Sequence, residues 1–299
     1  MHLCEIQIRD PFIILDGGTY YLYGSTDKDI WKAPAVGFDV YKSVHGLKEF
    51  DGPFPAFRPP ENFWSEKNFW APEVYAYKDA YYMFATFKPK TGRRGTAVLK
   101  SETVAGPFTP YSDGPVTPPG WECLDGTLYV EGDGNPWMVF CHEWQQVGDG
   151  EICCMPMMDT LQKATDEPVL LFRASEAPWA RELKGRAPGT YVTDGPFLYT
   201  TSTGDLTMLW SSFGEDGKYC IGLARSESGT IKGPWQQEHA PLYASDGGHG
   251  MVFRSFENTL YLAIHTPNTS PYERPVFLEI HESGAINTGI LSLSGKIIS

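Results

Sequence analysis

Residues 8–24, IRDPFIILDGGTYYLYG, decide how the rest of this chain reads. A polar residue opens a short apolar run, Asp16-Gly17-Gly18 supplies a tight turn, and an aromatic-rich run follows, which together predict a β-hairpin. The plan returns four times: WAPEVYAYKDAYYMFAT from Trp70, LDGTLYVEGDGNPWMVFCHEW from Leu124, TDGPFLYTTSTGDLTMLWSSF from Thr193 and GHGMVFRSFENTLYLAIHT from Gly248. With Leu22, Met83, Met138, Leu209 and Leu262 as matching second-strand positions, the repeats lie 61, 55, 71 and 53 residues apart. A strand-built recurrence of that length signals a propeller or solenoid.

The segments after the hairpins also recur: YKSVHGLKEFDGPF, LKSETVAGPFTPY, MPMMDTLQKATDEP and ARSESGTIKGPW. Each reads as a third strand, a small polar bend ending in Gly-Pro or Glu-Pro, and an outer fourth strand. The expectation is an all-β five-bladed β-propeller, with four-stranded antiparallel blades around a central channel, forming one domain over residues 1–299. In such a ring the innermost strands converge on the axis. That brings together Asp10, the Ala71-Pro72-Glu73 step, Asp125, Asp194 and His249. Three aspartates and a histidine on one axis are costly to keep without a use.

Composition narrows the partners. The chain is 41% hydrophobic and 14% aromatic with 31 Gly and 24 Pro, which suits short strands and tight turns. A formal net charge of −13 and no Lys/Arg run argue against nucleic acid and disfavour an acidic polysaccharide. A neutral small molecule or glycan fits best. No signal peptide and no run long enough to span a membrane is read here, and Cys4, Cys123, Cys141, Cys153, Cys154 and Cys220 lack metal spacing. Reduced core cysteines point to the cytoplasm, or to a secreted or periplasmic protein if a leader was removed.

Several residues are candidates beside the axis. Trp31 lies in a loop at the channel mouth, and Phe63, Trp64, Phe69 and Trp70 together resemble a platform for sugar C–H faces, although each alone also suits the core. Glu73 is expected to orient a neighbour. His142, Glu143 and Trp144 should alternate across a strand, so only part of that triplet can face one site. The long connection Leu170 to Val192 carries Trp179, a candidate cap for the pocket, and Arg274 lies in a loop leading into a last strand. Gly247, Gly248 and Gly250 give His249 freedom to approach the axis or an ion.

Glycoside hydrolysis needs a protonated carboxyl and an ionised one flanking the scissile bond, about 6.5–9.5 Å apart in inverting enzymes and about 5–5.5 Å in retaining ones. Opposite blades favour the wider gap. A third carboxylate beside the acid raises its pKa by repulsion. Asp10, Asp125 and Asp194 can fill these three roles.

In order and spacing, IRDPF, FWAPEV, LDGTLY, TDGPFLY and GGHGMVF resemble the motifs of glycoside hydrolase family 43 over essentially the whole chain. The resemblance implies inverting five-bladed propellers, mostly α-L-arabinofuranosidases, β-xylosidases and arabinanases. It makes Asp10 the general base, Asp125 the residue that tunes and orients the acid, and Asp194 the acid. It implies that His249 helps hold a hydrated structural calcium ion, and that Arg274 contacts the sugar. The chain departs from the family's Glu-Gly-Pro with Asp194-Gly195-Pro196, which withdraws the acid by roughly 1.5 Å on an unchanged backbone.

The reading favours an inverting exo-glycosidase that trims terminal pentoses from plant-type oligo- or polysaccharides, most of all an α-L-arabinofuranosidase, with no organic cofactor. A β-xylosidase comes next. Rivals are a sugar-binding propeller that has lost catalysis and a retaining fructan- or sucrose-cleaving relative, whose Asn-Asp-Pro opening is missing here.

Overall fold

The opening hairpin forms as read, Arg9–Asp16 pairing antiparallel with Thr19–Ser25. The computed structural model describes residues 1–283 and 290–299, and in it five four-stranded antiparallel sheets follow one another along the chain. Each sheet keeps its strands in chain order from inside to outside. The first strands are Arg9–Asp16, Ser65–Tyr77, Cys123–Val130, Asp194–Thr200 and Gly248–Arg254, which define blades 1 to 5 of a β-propeller. Their second strands are Thr19–Ser25, Ala80–Pro89, Pro136–His142, Leu206–Phe213 and Leu260–Thr266.

Blades stack face to face, so their middle strands lose water on both sides. Pro136–His142 is buried at every position, and its alternate residues reach two different cores. Cys153 and Cys154 divide in the same way, and all six cysteines are free. Between blades 1 and 2 the rings of Phe38, Phe57, Phe63, Phe69 and Phe87 pack at centroid distances of 4.8–6.2 Å. Such pairs contribute about 0.5–1.5 kcal/mol each beyond their area. Phe63 and Phe69 therefore serve the core, with Trp64 against Phe63 and Phe87, and they form no sugar platform.

Every first strand slips register by one residue near the same end, opposite Ser25, Thr86, Cys141, Ser211 and His265. The residues in these bulges are Asp10 (φ 54°), Ala71 (45°), Asp125 (54°), Gly195 (51°) and His249 (51°). Bulges of this kind re-aim side chains. The match to Asp10 and Asp125 in blade 4 is thus Gly195, and Asp194 stands one residue earlier, beside the positions of Arg9, Trp70, Leu124 and Gly248. Aligning the blades on aspartate misplaces it by one.

Four of the five bulge residues carry a side chain at positive φ, at about 1–3 kcal/mol each. The preceding blade holds each of them. Ala71 donates to Ser25 Oγ (2.9 Å), Asp125 to Thr86 Oγ1 (2.9 Å), His249 to Ser211 Oγ (2.9 Å) and Asp10 to His265 Nδ1 (3.1 Å). Blade 3 offers only Cys141 at that place, and the Gly195 N–H goes to Asp125 Oδ2 instead (3.0 Å).

Candidate active site

The bulges surround the floor of a cavity of ≈ 410 Å³ that all five blades line. Asp10, Asp125 and His249 form its floor, and Asp194 stands on its wall. Asp10 Oδ2 accepts from Ser25 Oγ (2.7 Å) and Oδ1 lies 3.2 Å from His249 Nδ1. The same Nδ1 is 3.7 Å from Asp125 Oδ2. Gly195 makes this possible, because a Cβ there would fall 2.7 Å from the His249 ring. Asp194 Oδ2 accepts from the Tyr219 hydroxyl (3.0 Å), and Tyr219 reaches it across Gly248, where a Cβ would fall 2.1 Å from its ring.

Charge then sorts these groups. Burial alone would raise Asp10, but facing His249 and His265, with Arg9 adjacent, holds its carboxyl well below the ordinary range. Burial and the neighbouring Asp125 carboxylate lift Asp194 to about 7, against the pull of Tyr219 and His249. Asp125 is raised by burial and by Asp10, with His249 opposing. His249 is raised to about 10 in spite of burial, by Asp10 and Asp125. Burial and Arg9 lower His265 to about 3. A neutral His265 accepts the Asp10 N–H at Nδ1, so its proton sits on Nε2, 3.2 Å from Asn268 Oδ1, which also accepts from Arg9 (2.6 Å). One ionised and one protonated carboxyl facing one cavity are the groups that general acid–base chemistry requires.

The remaining expected residues divide. Trp31 and Trp70 line the cavity with an edge-to-face contact (5.2 Å, 65°), but Arg94 covers the Trp70 ring at 4.6 Å and Arg9 lies 5.3 Å from that of Trp31. Trp70 therefore backs the wall through Arg94. Glu73 is outside the cavity lining and bonded to Tyr75; burial raises it to about 7. His142 stacks on Trp121 (4.1 Å) and hydrogen-bonds with Glu151 and Gln146 away from the cavity. The strand ends at His142, and a turn of helix over Trp144–Val147 follows, so Glu143 and Trp144 both line the cavity in place of alternating. Trp179 packs against blade 4 on Trp210 (4.7 Å) and is absent from the lining of this cavity. Arg274 spends its donors on the Cys4, Pro271 and Glu273 carbonyls, tying the N-terminal segment to blade 5, and does not reach the cavity.

Sequence reasoning missed Arg9, which directly precedes Asp10, and Arg94, Tyr219 and His265, which meet the site only through packing between blades. The one signal was Gly248, whose missing side chain admits Tyr219. As for calcium, the imidazole that would ligate it lies between two carboxylates, its Nδ1 3.2 Å from Asp10 and 3.7 Å from Asp125, and no group of three or more His, Cys, Asp or Glu among the described residues is arranged to hold a metal ion. No step below runs through calcium.

A sequence model described as "Glycosyl hydrolases family 43" matches residues 3–283. Among solved structures, an endo-arabinase from Bacteroides thetaiotaomicron VPI-5482 superposes with a TM-score of 0.87 at 40% identity, covering 95% of this chain and 98% of that one. An endo-1,4-beta-xylanase from the same organism gives 0.77 at 22% identity, covering 98% and 96%. A Cellvibrio cellulosa alpha-L-arabinanase complexed with arabinohexaose gives 0.68 at 15% identity, covering 97% and 96%. The last two share the fold. Comparison with curated protein sequences finds no match.

Proposed function

The chain belongs to glycosyl hydrolases family 43 and is a glycoside hydrolase, and from that premise we propose an inverting, exo-acting α-L-arabinofuranosidase with Asp10 as base and Asp194 as acid. The observation that carries this reading is the opposed protonation of Asp10 and Asp194 on one cavity. Asp194 gives its proton to the glycosidic oxygen as the bond to the anomeric carbon breaks. Asp10 takes a proton from the water that attacks the opposite face, leaving an inverted hemiacetal and a free alcohol. Asp125 keeps the acid protonated by repulsion, and His249 balances the two ionised floor carboxylates.

Terminal cleavage is supported by the walls. Trp31, Arg94, Trp144, Phe213 and Ser270 come from five different blades and line the cavity, and the reading gives that space to a chain end. The arabinose preference leans on the likeness to the endo-arabinase.

The test is hydrolysis of a linear α-1,5-arabino-oligosaccharide followed by proton NMR. Single arabinose units, released first as the β-anomer, are expected. A ladder of shorter oligosaccharides would overturn exo action, a first-formed α-anomer would overturn inversion, and cleavage of xylosides alone would overturn the sugar. Binding without turnover would return the chain to the non-catalytic reading.

A further inference from the structure

Next to the acid, the cavity wall holds an ion pair that the mechanism above leaves unused. Arg94 and Glu143 are 7% and 4% exposed, and both line the cavity. Arg94 NH1 donates to Glu143 Oε1 (3.3 Å), NH2 lies 3.2 Å from Oε2, and Gln145 Nε2 donates to Oε1 (2.7 Å). Trp70 fixes the guanidinium from behind at 4.6 Å. Even so, Arg94 Nε and Glu143 Oε2 are buried without a hydrogen-bond partner. The adjacent carboxylate, Glu122, is engaged by Lys88, Arg93 and the Arg94 N–H, which leaves Glu143 as the carboxylate on this wall with acceptor capacity in reserve. A charged pair that lines a cavity offers whatever binds there both a donor and an acceptor, and a ligand with adjacent hydroxyls can answer both.

The geometry points to Arg94 and Glu143 as the recognition pair for the leaving group, reading two adjacent hydroxyls of a sugar. One hydroxyl donates to Glu143 while its neighbour accepts from Arg94. The placement rests on the reading of Asp194 as acid: the leaving oxygen faces Asp194 of blade 4, Glu143 of blade 3 adjoins it, and Asp10 serves the opposite face from blade 1. A site built to bond hydroxyls rejects analogues lacking them far more strongly than an apolar wall would.

The experiment compares kcat/KM for an arabinofuranosyl disaccharide with that for methyl arabinofuranoside. Both leaving groups depart as alcohols that need the proton, so damage to the acid affects them alike; only the disaccharide presents adjacent hydroxyls. Wild type is expected to favour the disaccharide by at least tenfold, and Glu143→Gln to lower that ratio at least tenfold, whatever happens to the absolute rates. The double variant Arg94→Met/Glu143→Gln removes both charges together, guarding against a fold lost to one uncompensated charge, and is expected to lower the ratio as far. Equal wild-type rates, or a ratio within twofold of wild type in a folded variant, would overturn the pair's role alone. A wild type inert on both glycosides would overturn this inference together with the proposed function.

Discussion

Asp10 and Asp194 occupy the same end of the first strands of blades 1 and 4 and line one cavity, yet they are driven to opposite protonation states. Burial pushes both upward. Asp10 sits in a bulge between two imidazoles and is overruled downward, whereas Asp194 stands one residue ahead of its bulge, facing Asp125. His249 pulls on both, but His265 and Arg9 add to the pull on Asp10 while Asp125 opposes it at Asp194. With burial common to both, the neighbouring charges set which carboxyl is ionised.

The largest effects test that division of labour. Asp10→Asn is expected to lower kcat on every glycoside by about 10³–10⁴-fold, within the range for a general base. Asp194→Ala is expected to cost about 10²–10³-fold on a disaccharide and far less on a nitrophenyl glycoside, whose leaving group departs without a proton. If both substrates suffer equally from Asp194→Ala, the residue is not the proton donor and the comparison fails.

The five-blade plan was legible because hairpins announce themselves locally: a tight turn between alternating runs needs no knowledge of distant residues. The floor carboxylates Asp10 and Asp125 were legible for the same reason, each opening a repeat. Asp194 was found but placed one residue out of phase, since Thr193-Asp194-Gly195 read like Leu124-Asp125-Gly126 until the pairing opposite Cys141 and Ser211 fixed the register. Arg274 was expected at the sugar from the family resemblance and His142 from its place in a triplet at the end of a strand, and both are structural ties. Tyr219, His265 and Arg94 lie on second and third strands or the loops between them, and they reach the site only through neighbouring blades, which no local pattern encodes.

Intermediate effects are expected in the pH profile of kcat/KM, which sharpens the comparison group by group. Activity requires Asp194 protonated, so it falls as pH rises through about 7. It requires Asp10 ionised, so the acid limb lies below the ordinary carboxylate range. Removing the like charge in Asp125→Asn lets Asp194 ionise earlier and moves the alkaline limb to lower pH. Tyr219→Phe removes a bond that favours the ionised form and moves the limb to higher pH. Identical limbs in the two variants would show that Asp194 does not govern activity at high pH.

The smallest effects are on stability, and they carry opposite signs for the two carboxylates. The pKa of Asp194 rises from 3.8 to about 7 on folding, so its contribution is present below 3.8 and is lost as pH climbs through 7. Above that pH the fold carries a buried charge that Asn lacks. Asp194→Asn is therefore expected to raise Tm at pH 8 by roughly 2 °C and to change it little at pH 5. The pKa of Asp10 is depressed, so its stabilising contribution is present above 3.8 and is lost only as pH falls through its folded value. Asp10→Asn should thus lower Tm at pH 5 and pH 8 alike, with His249 left between fewer counter-charges. Thermal melts of both variants at both pH values decide it: if Asp194→Asn shows no gain at pH 8 over pH 5, the acid is not held protonated by the fold, and its difference from Asp10 must arise only when substrate binds.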